Sequence, residues 1–271
     1  NIIYNINFLE NSYDYSNRTN FYKISLNDKE VYKHCIETKK VYKLTTGNLR
    51  EDCLKKGKSN NRIFFIIGNS HTVNYIPAID SLKMNKGDSI YFEHKEWRFD
   101  LYDGLSENIL NFNLIKKINE LNKYYKEVVF VTNIEPYNID FLEDINLVLD
   151  KGIKILILST IPNTSKNMNS LECYIKRIDC NYLKSKDYQR RDLKSYFQKI
   201  NAIINKNNQG RFLLYNSYDI ICPNEICYSY NSNEDFLTHV NDSHLTIEGS
   251  LSIKHDFFKF YKENLKNENI Q

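Results

Sequence analysis

Short apolar runs alternate with segments of helical periodicity along most of this chain. Residues 62–67, 127–132 and 153–159 are nearly continuous runs of Ile, Phe, Val and Leu, which predict strands buried on both faces. After the first run, apolar residues recur at spacings of three and predict a helix. The pattern predicts strands at 62–67, 89–92, 127–132, 153–159 and 211–215, and helices at 73–82, 109–125, 139–149, 193–204 and 249–260.

Strands that alternate with helices imply right-handed crossover connections and a mostly parallel sheet, so the predicted class is α/β. Residues 1–30 are polar and aromatic without a clear period, and we interpret them as a linker or irregular lead-in. Residues 31–271 show neither an internal repeat nor a domain break, so they are predicted to form one domain.

The composition narrows the classes of function. The 271 residues are 41% hydrophobic, which is enough for one large core. The formal net charge is +3 with both signs interspersed, so the basic stripe that nucleic-acid binding requires is missing. No apolar run approaches the roughly 20 residues of a membrane helix. The chain begins at Asn1 rather than Met, and we expect it to be part of a longer protein.

Six cysteines fall into three sequence-local pairs. Local pairs of this kind staple loops and favour an oxidising compartment, although six reduced thiols in a cytosolic protein remain the alternative. The sequence contains no C-x-x-C, which argues against zinc-ribbon and thioredoxin-like sites. The cysteines are Cys35, Cys53, Cys173, Cys180, Cys222 and Cys227.

The carboxyl ends of the strands are where open parallel sheets build their sites. That rule selects residues 68–71, 132–137 and 160–163. Ser70 follows the first buried strand at a Gly-containing turn, where a hydroxyl is exposed and backbone N–H groups converge. A hydroxyl is a poor nucleophile unless a neighbouring base accepts its proton, so a histidine is required.

The base is expected from a distant segment. His71 adjoins Ser70, and side chains of neighbouring residues do not face each other. His244 lies just before the closing helix, and Asp242 is a carboxylate two residues away that can orient an imidazole. The alternative is that Asp242 or Ser243 merely caps that helix. No metal-binding constellation is apparent.

Two segments together resemble a known family. Gly-Asn-Ser-His at 68–71 and Asp-Ser-His-Leu-Thr at 242–246 resemble the first and last blocks of the SGNH hydrolase superfamily. The strongest resemblance is to the SGNH domain that accompanies membrane acyltransferase-3 proteins. Cys53 upstream of the first block fits that pattern. So do the pair Cys173 and Cys180 and the Cys-Pro-x-x-x-Cys loop at 222–227, and the resemblance extends over roughly residues 30 to 260.

The resemblance implies a three-layer α/β/α, flavodoxin-like fold for an acyltransferase or esterase domain over residues 31–271. Ser70 would attack an acyl carbonyl, with His244 as base and later as acid. The backbone N–H of Ser70 would be one oxyanion donor, as in related acyl-transfer sites. For the Asn and Gly donors of the superfamily the candidates are Asn133 and Gly104, although Asn133 also suits an ordinary turn.

Two departures from the family pattern bear on activity. Asn69 stands where the first block has Asp, a residue that is usually structural. Asn241 stands where the last block has its triad Asp, with Asp242 beside it. Either Asp242 replaces that carboxylate, or Asn241 orients a weaker Ser-His dyad. Loss of the carboxylate costs about 10⁴ in rate in the serine-protease template, so an inactive member is a further alternative.

The expected function follows from the resemblance. It is serine-dependent O-acyl transfer, usually of acetyl, onto a surface polysaccharide such as lipopolysaccharide. The domain would be periplasmic or at the cell surface, tethered to a membrane acyltransferase-3 domain of the parent protein. That partner would deliver an acetyl group derived from acetyl-CoA, and this domain itself would bind no cofactor. The alternatives are a free-standing carbohydrate esterase and a catalytically weak glycan-binding module.

Overall fold

The structure is a computed structural model, and the secondary structure below refers to the residues it describes. These are 49–68, 70–80, 87–94, 107–133, 148–159, 161–162, 170, 173, 176–182, 195, 198, 202, 210–223, 226–231, 233, 236–239 and 244–265. The strands are β1 (Leu54–Lys55), β2 (Arg62–Gly68), β3 (Ser89–His94), β4 (Glu127–Asn133), β5 (Lys154–Leu158), β6 (Cys180–Tyr182), β7 (Phe212–Tyr215), β8 (Cys227–Asn231) and β9 (Phe236–Leu237). The helices are α1 (Ser70–Val73), α2 (Glu107–Leu121), α3 (Tyr218–Ile221), α4 (Ile247–Ser252) and α5 (Lys254–Asn264).

Six strands form the main sheet in the order β1-β3-β2-β4-β5-β7. All neighbours in it pair in parallel except β1, which runs antiparallel to β3. The apolar runs of the sequence therefore occupy the centre of a mostly parallel sheet, as predicted, and β2 is buried along its whole length. Strand β1 was not predicted, because its two residues lie in charged sequence and pair only at the edge.

Helices cover both faces of this sheet. Phe64 pairs with Ile90 in register, so their side chains share one face of the sheet. Tyr91 follows Ile90 in the strand and therefore points to the opposite face. The ring of Phe64 lies 6.2 Å from that of Tyr261 in α5. On the other face, Lys117 of α2 forms an ion pair with Glu93, which shares the face of Tyr91. The expected three-layer α/β/α arrangement is confirmed.

A buried charged cluster closes the amino edge of the sheet. The Arg62 guanidinium donates to Glu127 Oε2 at 2.5 Å and to the Tyr261 hydroxyl at 2.6 Å. Lys154 completes the pairing of Glu127 at 2.9 Å, and Asp88 accepts from the Tyr261 hydroxyl at 2.7 Å. The strand starts are thereby tied to α5, at the end of the sheet opposite to the predicted site.

The predicted closing helix is wrong as a single element. The chain forms two helices, α4 and α5. Buried Ile253 lies between them and is both the C-cap of α4 and the N-cap of α5. The Thr246 hydroxyl caps α4 by accepting from the Gly249 N–H at 2.8 Å. The N-cap residue of α4 is therefore Thr246, and Asp242 and Ser243, the alternative caps, lie outside the described residues.

The other predicted helices differ in their bounds. The helix after β2 begins at Ser70 rather than at Val73, and residues 74–75 form a turn before the chain is helical again at 76–80. The predicted helix at 109–125 corresponds to α2. Of the helix predicted at 139–149, only 148–149 are described, and they are helical; the helix predicted at 193–204 lies mostly outside the described residues.

A second, antiparallel sheet has the order β6-β8-β9 and was not predicted. β6 and β8 are short and rich in polar residues, and β9 has only two residues, so none of the three carries the long apolar run of the central strands. Disulfides join Cys173 to Cys180 at the start of β6 and Cys222 to Cys227 at the start of β8. These two predicted pairs are confirmed. Cys53 is also disulfide-bonded, and Cys35 lies outside the described residues.

Candidate functional site

The site begins where β2 ends. Gly68 is the last residue of this strand, and a Cβ placed on it would lie 1.9 Å from Thr72 Oγ1. Only glycine at position 68 therefore leaves room for the Thr72 side chain of α1 to pack against the end of β2. Ser70 is the first residue of α1, so it stands at the carboxyl edge of the sheet next to its central strands.

The segment that carries His244 lies against α1. The rings of His71 and His244 are stacked, with centroids 5.4 Å apart and planes inclined by 18°. Both side chains are half-buried. His71 directly follows Ser70, and consecutive Cα atoms are about 3.8 Å apart. The His244 ring, which stacks on His71, therefore lies close to the backbone of Ser70. A histidine from the end of the chain is therefore delivered to the neighbourhood of the predicted nucleophile.

Asn74 fixes the backbone next to His244. Its Oδ1 accepts a hydrogen bond from the Leu245 N–H at 3.1 Å, and its carbonyl accepts one from the Ser250 hydroxyl. Asn74 is buried with 4% of its surface exposed, so the Leu245 N–H has no access to water as a substitute partner. The contact holds α4 and the residues before it against the helix that starts at Ser70.

His239 anchors the other side of the same segment. It pairs with Leu245 in a β-bridge, and the Thr246 N–H donates to the Thr238 carbonyl at 2.9 Å. The His239 ring is wholly buried, and its Nε2 lies 3.0 Å from the Pro162 carbonyl. A carbonyl oxygen only accepts, so Nε2 carries the proton. The His244 segment is thus linked to the chain that follows β5.

A buried polar cluster underlies this edge of the sheet. The Tyr75 hydroxyl donates to the Ser159 carbonyl at 2.8 Å, and it lies 2.7 Å from Ser217 Oγ and 3.0 Å from Ser159 Oγ. Burial raises the pKa of the Tyr75 phenol to about 12, despite the two serine hydrogen bonds that lower it. The cluster joins the chain after α1 to the carboxyl ends of β5 and β7.

Asn133 ends β4 at this edge and on the same face as Gly68. Its Nδ2 donates to the carbonyls of Leu158 and Ser159, each at 3.0 Å. Both amide protons are therefore used by the backbone next to it in this arrangement. An oxyanion role for Asn133 requires one of these bonds to be exchanged, and that role stays a prediction.

The remaining predicted site residues are Gly104, Asn241 and Asp242, and they lie outside the described residues, as does Asn69 of the first block. The roles of Ser70 and His244 likewise stay predictions. Within the part of the chain that the structure describes, no group of three His, Cys, Asp or Glu residues is placed to hold a metal ion, and no helix there is long and apolar enough to cross a bilayer.

Sequence reasoning assigned no role to three residues of this region, and it considered His71 only as a base and rejected it. His71, Asn74 and Tyr75 all follow Ser70 closely, and each contacts a segment from much later in the chain. The only available signal was polar side chains within the apolar stretch 73–79, because a buried polar group requires a partner.

Fold and site together define a three-layer α/β protein in which a serine begins the helix after a central strand and a late histidine lies alongside that helix. A sequence model of the SGNH domain (fused to AT3 domains) matches residues 34–259. The chain therefore belongs to this family.

Solved structures with similarity to the chain have low sequence identity. A candidate acylhydrolase from Bacteroides fragilis is 15% identical, with a TM-score of 0.41, over 78% of this chain and 91% of that one. A catalytic mutant of Axe2, an acetylxylan esterase from Geobacillus stearothermophilus, is 11% identical, with a TM-score of 0.39, over 80% and 99% of the respective chains. No curated protein matches the chain significantly.

Proposed function

We propose that this chain is a serine-dependent O-acyl transfer domain in which Ser70 is the nucleophile and His244 is the base. The observation that carries the proposal is the stacking of His244 on His71, directly after Ser70. Membership of the SGNH domain family supports acyl-ester chemistry at these two positions. The carboxyl edge of the sheet, where Ser70 stands, is where folds of this type bind their ligands.

The proposed reaction has two half-reactions. His244 accepts the Ser70 proton while Ser70 Oγ attacks the acyl carbonyl, and the imidazolium then returns that proton to the leaving oxygen or sulfur of the donor as its bond to the acyl carbon breaks. The products are an acyl ester on Ser70 and the free donor alcohol or thiol. In the second half-reaction His244 deprotonates an acceptor hydroxyl, which attacks the acyl-serine and regenerates the Ser70 hydroxyl.

The developing oxyanion needs hydrogen-bond donors close to Ser70. The backbone N–H of Ser70 supplies one donor in this proposal. Asn133 is the candidate for a second, after release of one of its bonds to the carbonyls of Leu158 and Ser159. Gly104 completes the proposed set by resemblance to the family.

A cell-surface glycan is the proposed acceptor. The family description associates this kind of domain with AT3 domains, which supports a membrane acyltransferase-3 domain in the parent protein as partner and as source of an acetyl group derived from acetyl-CoA. The two buried disulfides Cys173–Cys180 and Cys222–Cys227 support an oxidising, extracytoplasmic location. The proposed activity is therefore O-acetylation of polysaccharide outside the cytoplasm.

Hydrolysis of p-nitrophenyl acetate tests the nucleophile and the base. We expect Ser70→Ala and His244→Ala each to reduce kcat/KM by at least about 10³-fold, as for members of other serine-histidine sites. The matched controls are Ser252→Ala and His255→Ala, which alter exposed residues of α4 and α5. Equal slow release of nitrophenol by wild type and Ser70→Ala would refute the proposal.

Covalent labelling is a second test of the nucleophile. A fluorophosphonate should label Ser70 in the wild type and fail to label Ser70→Ala.

The acceptor is identified by the fate of the acyl group. With an acetyl donor and an oligosaccharide present, mass spectrometry should find an added acetyl group on the sugar. Release of free acetate alone would mean that the chain is a carbohydrate esterase, and neither product would favour a binding module.

The orienting residue is assigned by two substitutions. We expect Asp242→Ala to lower kcat/KM more than Asn241→Ala does, because Asp242 is the carboxylate close to His244 in sequence. Asn241→Asp should leave the rate unchanged or raise it. The opposite ranking of the two alanine variants would assign the role to Asn241.

A further inference from the structure

We infer that His71 is a positioning residue that holds the imidazole of His244 by ring stacking. The inference rests on the proposed function and deepens it, because it concerns how the proposed base is aimed at Ser70. His71 is not expected to be the base, because it adjoins Ser70 and side chains of neighbouring residues do not face each other. The structure gives its ring a different use.

The first step is the geometry of the two rings. Their centroids are 5.4 Å apart and their planes are nearly parallel at 18°. That distance lies within the range in which aromatic rings stack with an offset. Both rings are half-buried, so the stack is partly shielded from water.

The second step is the division of labour between α1 and the turn that follows it. His71 lies in α1, and Asn74 is the first residue of the turn directly after it. Asn74 binds the Leu245 N–H at 3.1 Å and thereby fixes the backbone beside His244. A fixed backbone still leaves a histidine two side-chain torsions. The stack against His71 restrains these torsions, which the contact at Asn74 cannot do.

The third step is the demand that catalysis makes on the base. A general base must come within hydrogen-bond reach of the proton that it removes. A displacement of about 1 Å at a reacting group can cost on the order of 10² in rate. His71 restrains the proposed base, and it directly follows Ser70 in α1. The position of the base is therefore tied to that of the nucleophile through one peptide bond.

Three substitutions separate stacking from other roles of His71. His71→Ala removes the ring, and we expect kcat to fall by about 10- to 100-fold with KM nearly unchanged. His71→Phe keeps a flat ring without nitrogen atoms and should restore most of kcat. His71→Leu has apolar bulk but no flat ring and should resemble His71→Ala. His255→Ala, on the exposed side of α5, is the control.

A second measurement does not depend on activity. In proton NMR spectra the stacked His71 ring should shift the ring signals of His244 by its ring current. We expect that shift in wild type and His71→Phe, and its loss in His71→Ala and His71→Leu. Thermal unfolding of each variant shows that the comparison is made between folded proteins, and His71→Phe retains the test if His71→Ala does not fold.

Two results would overturn the inference. One is wild-type kcat together with unchanged His244 signals in His71→Ala. The other is an equal loss of kcat in His71→Ala and His71→Phe while the ring-current shift persists in His71→Phe. Failure of the proposed function has a different signature, because Ser70→Ala would then keep full activity whatever the His71 variants do.

Discussion

The backbone N–H of Leu245 donates a hydrogen bond to Oδ1 of Asn74, 171 positions earlier in the chain. This bond joins the turn after Ser70 to the segment that begins with His244. It runs beside the stacked rings of His71 and His244, so the two ends of the proposed site meet through two adjacent contacts.

Asn74→Ala should weaken both stability and activity. The substitution leaves the buried Leu245 N–H without an acceptor, which costs about 1–3 kcal/mol, and it releases the backbone beside His244. Urea unfolding and p-nitrophenyl acetate hydrolysis provide the measurements. Asn264→Ala, which removes an exposed side chain that bonds only its own helix, should change neither. Equal behaviour of the two variants would contradict the proposed docking role of Asn74.

Tyr75→Phe should destabilise the protein and leave its fold unchanged. The change removes a buried hydroxyl that lies within 3.0 Å of Ser159 and Ser217 oxygens, and we expect a loss of about 1–2 kcal/mol. The control is Tyr124→Phe, since the Tyr124 side chain is 61% exposed. A loss as large for Tyr124→Phe as for Tyr75→Phe would show that the buried cluster contributes little.

Alkaline pH provides a separate test of Tyr75. Burial raises the pKa of its phenol from 10.0 to about 12, so the folded state favours the neutral form. This contribution is complete below the unfolded pKa and is lost as the pH rises through the folded one. Between about pH 10 and 11 the wild type should lose about 1 kcal/mol more than Tyr75→Phe. Parallel declines of the two proteins, measured by urea unfolding, would contradict the assignment.

Arg62→Ala should reduce stability while sparing catalysis. The guanidinium is buried with Glu127, Tyr261 and the Leu265 carbonyl, and breaking a buried ion pair costs about 3–5 kcal/mol. Arg62 and Gly68 lie at opposite ends of β2, about 20 Å apart. The folded variant should therefore keep its kcat below its unfolding midpoint.

The control for this variant is Lys123→Ala, which removes an exposed ion pair with Glu120 and should change neither quantity. A loss of kcat in folded Arg62→Ala comparable to its loss of stability would contradict the separation of the two sheet edges.

Removal of either disulfide should cost about 2 kcal/mol, because each closes only a short loop. The double variants are Cys173→Ala with Cys180→Ala, and Cys222→Ala with Cys227→Ala. Guanidinium unfolding measures the loss, and non-reducing peptide mapping checks the pairs in the wild type. Mixed pairings in the map, or wild-type stability of both double variants, would contradict the structure.

The central strands could be predicted from sequence because they are buried on both faces and their apolar runs are continuous. β2, β4 and β5 match the predictions to within two residues at each end. Strands β6, β8 and β9 could not be predicted in this way, since β8 reads Cys-Tyr-Ser-Tyr-Asn and its pairing depends on neighbours. The break at Ile253 was missed for a similar reason, because its burial is a tertiary property.

The sequence by itself determined the alternation of strands and helices, the place of Ser70 after β2, and the candidate residues of the site. These are local properties, because burial and turn formation leave their pattern in consecutive residues. Only the tertiary structure decided that His244 stacks on His71 and that Asn74 holds Leu245. Contacts between such distant positions depend on how every intervening element packs, and no pattern in consecutive residues encodes that packing.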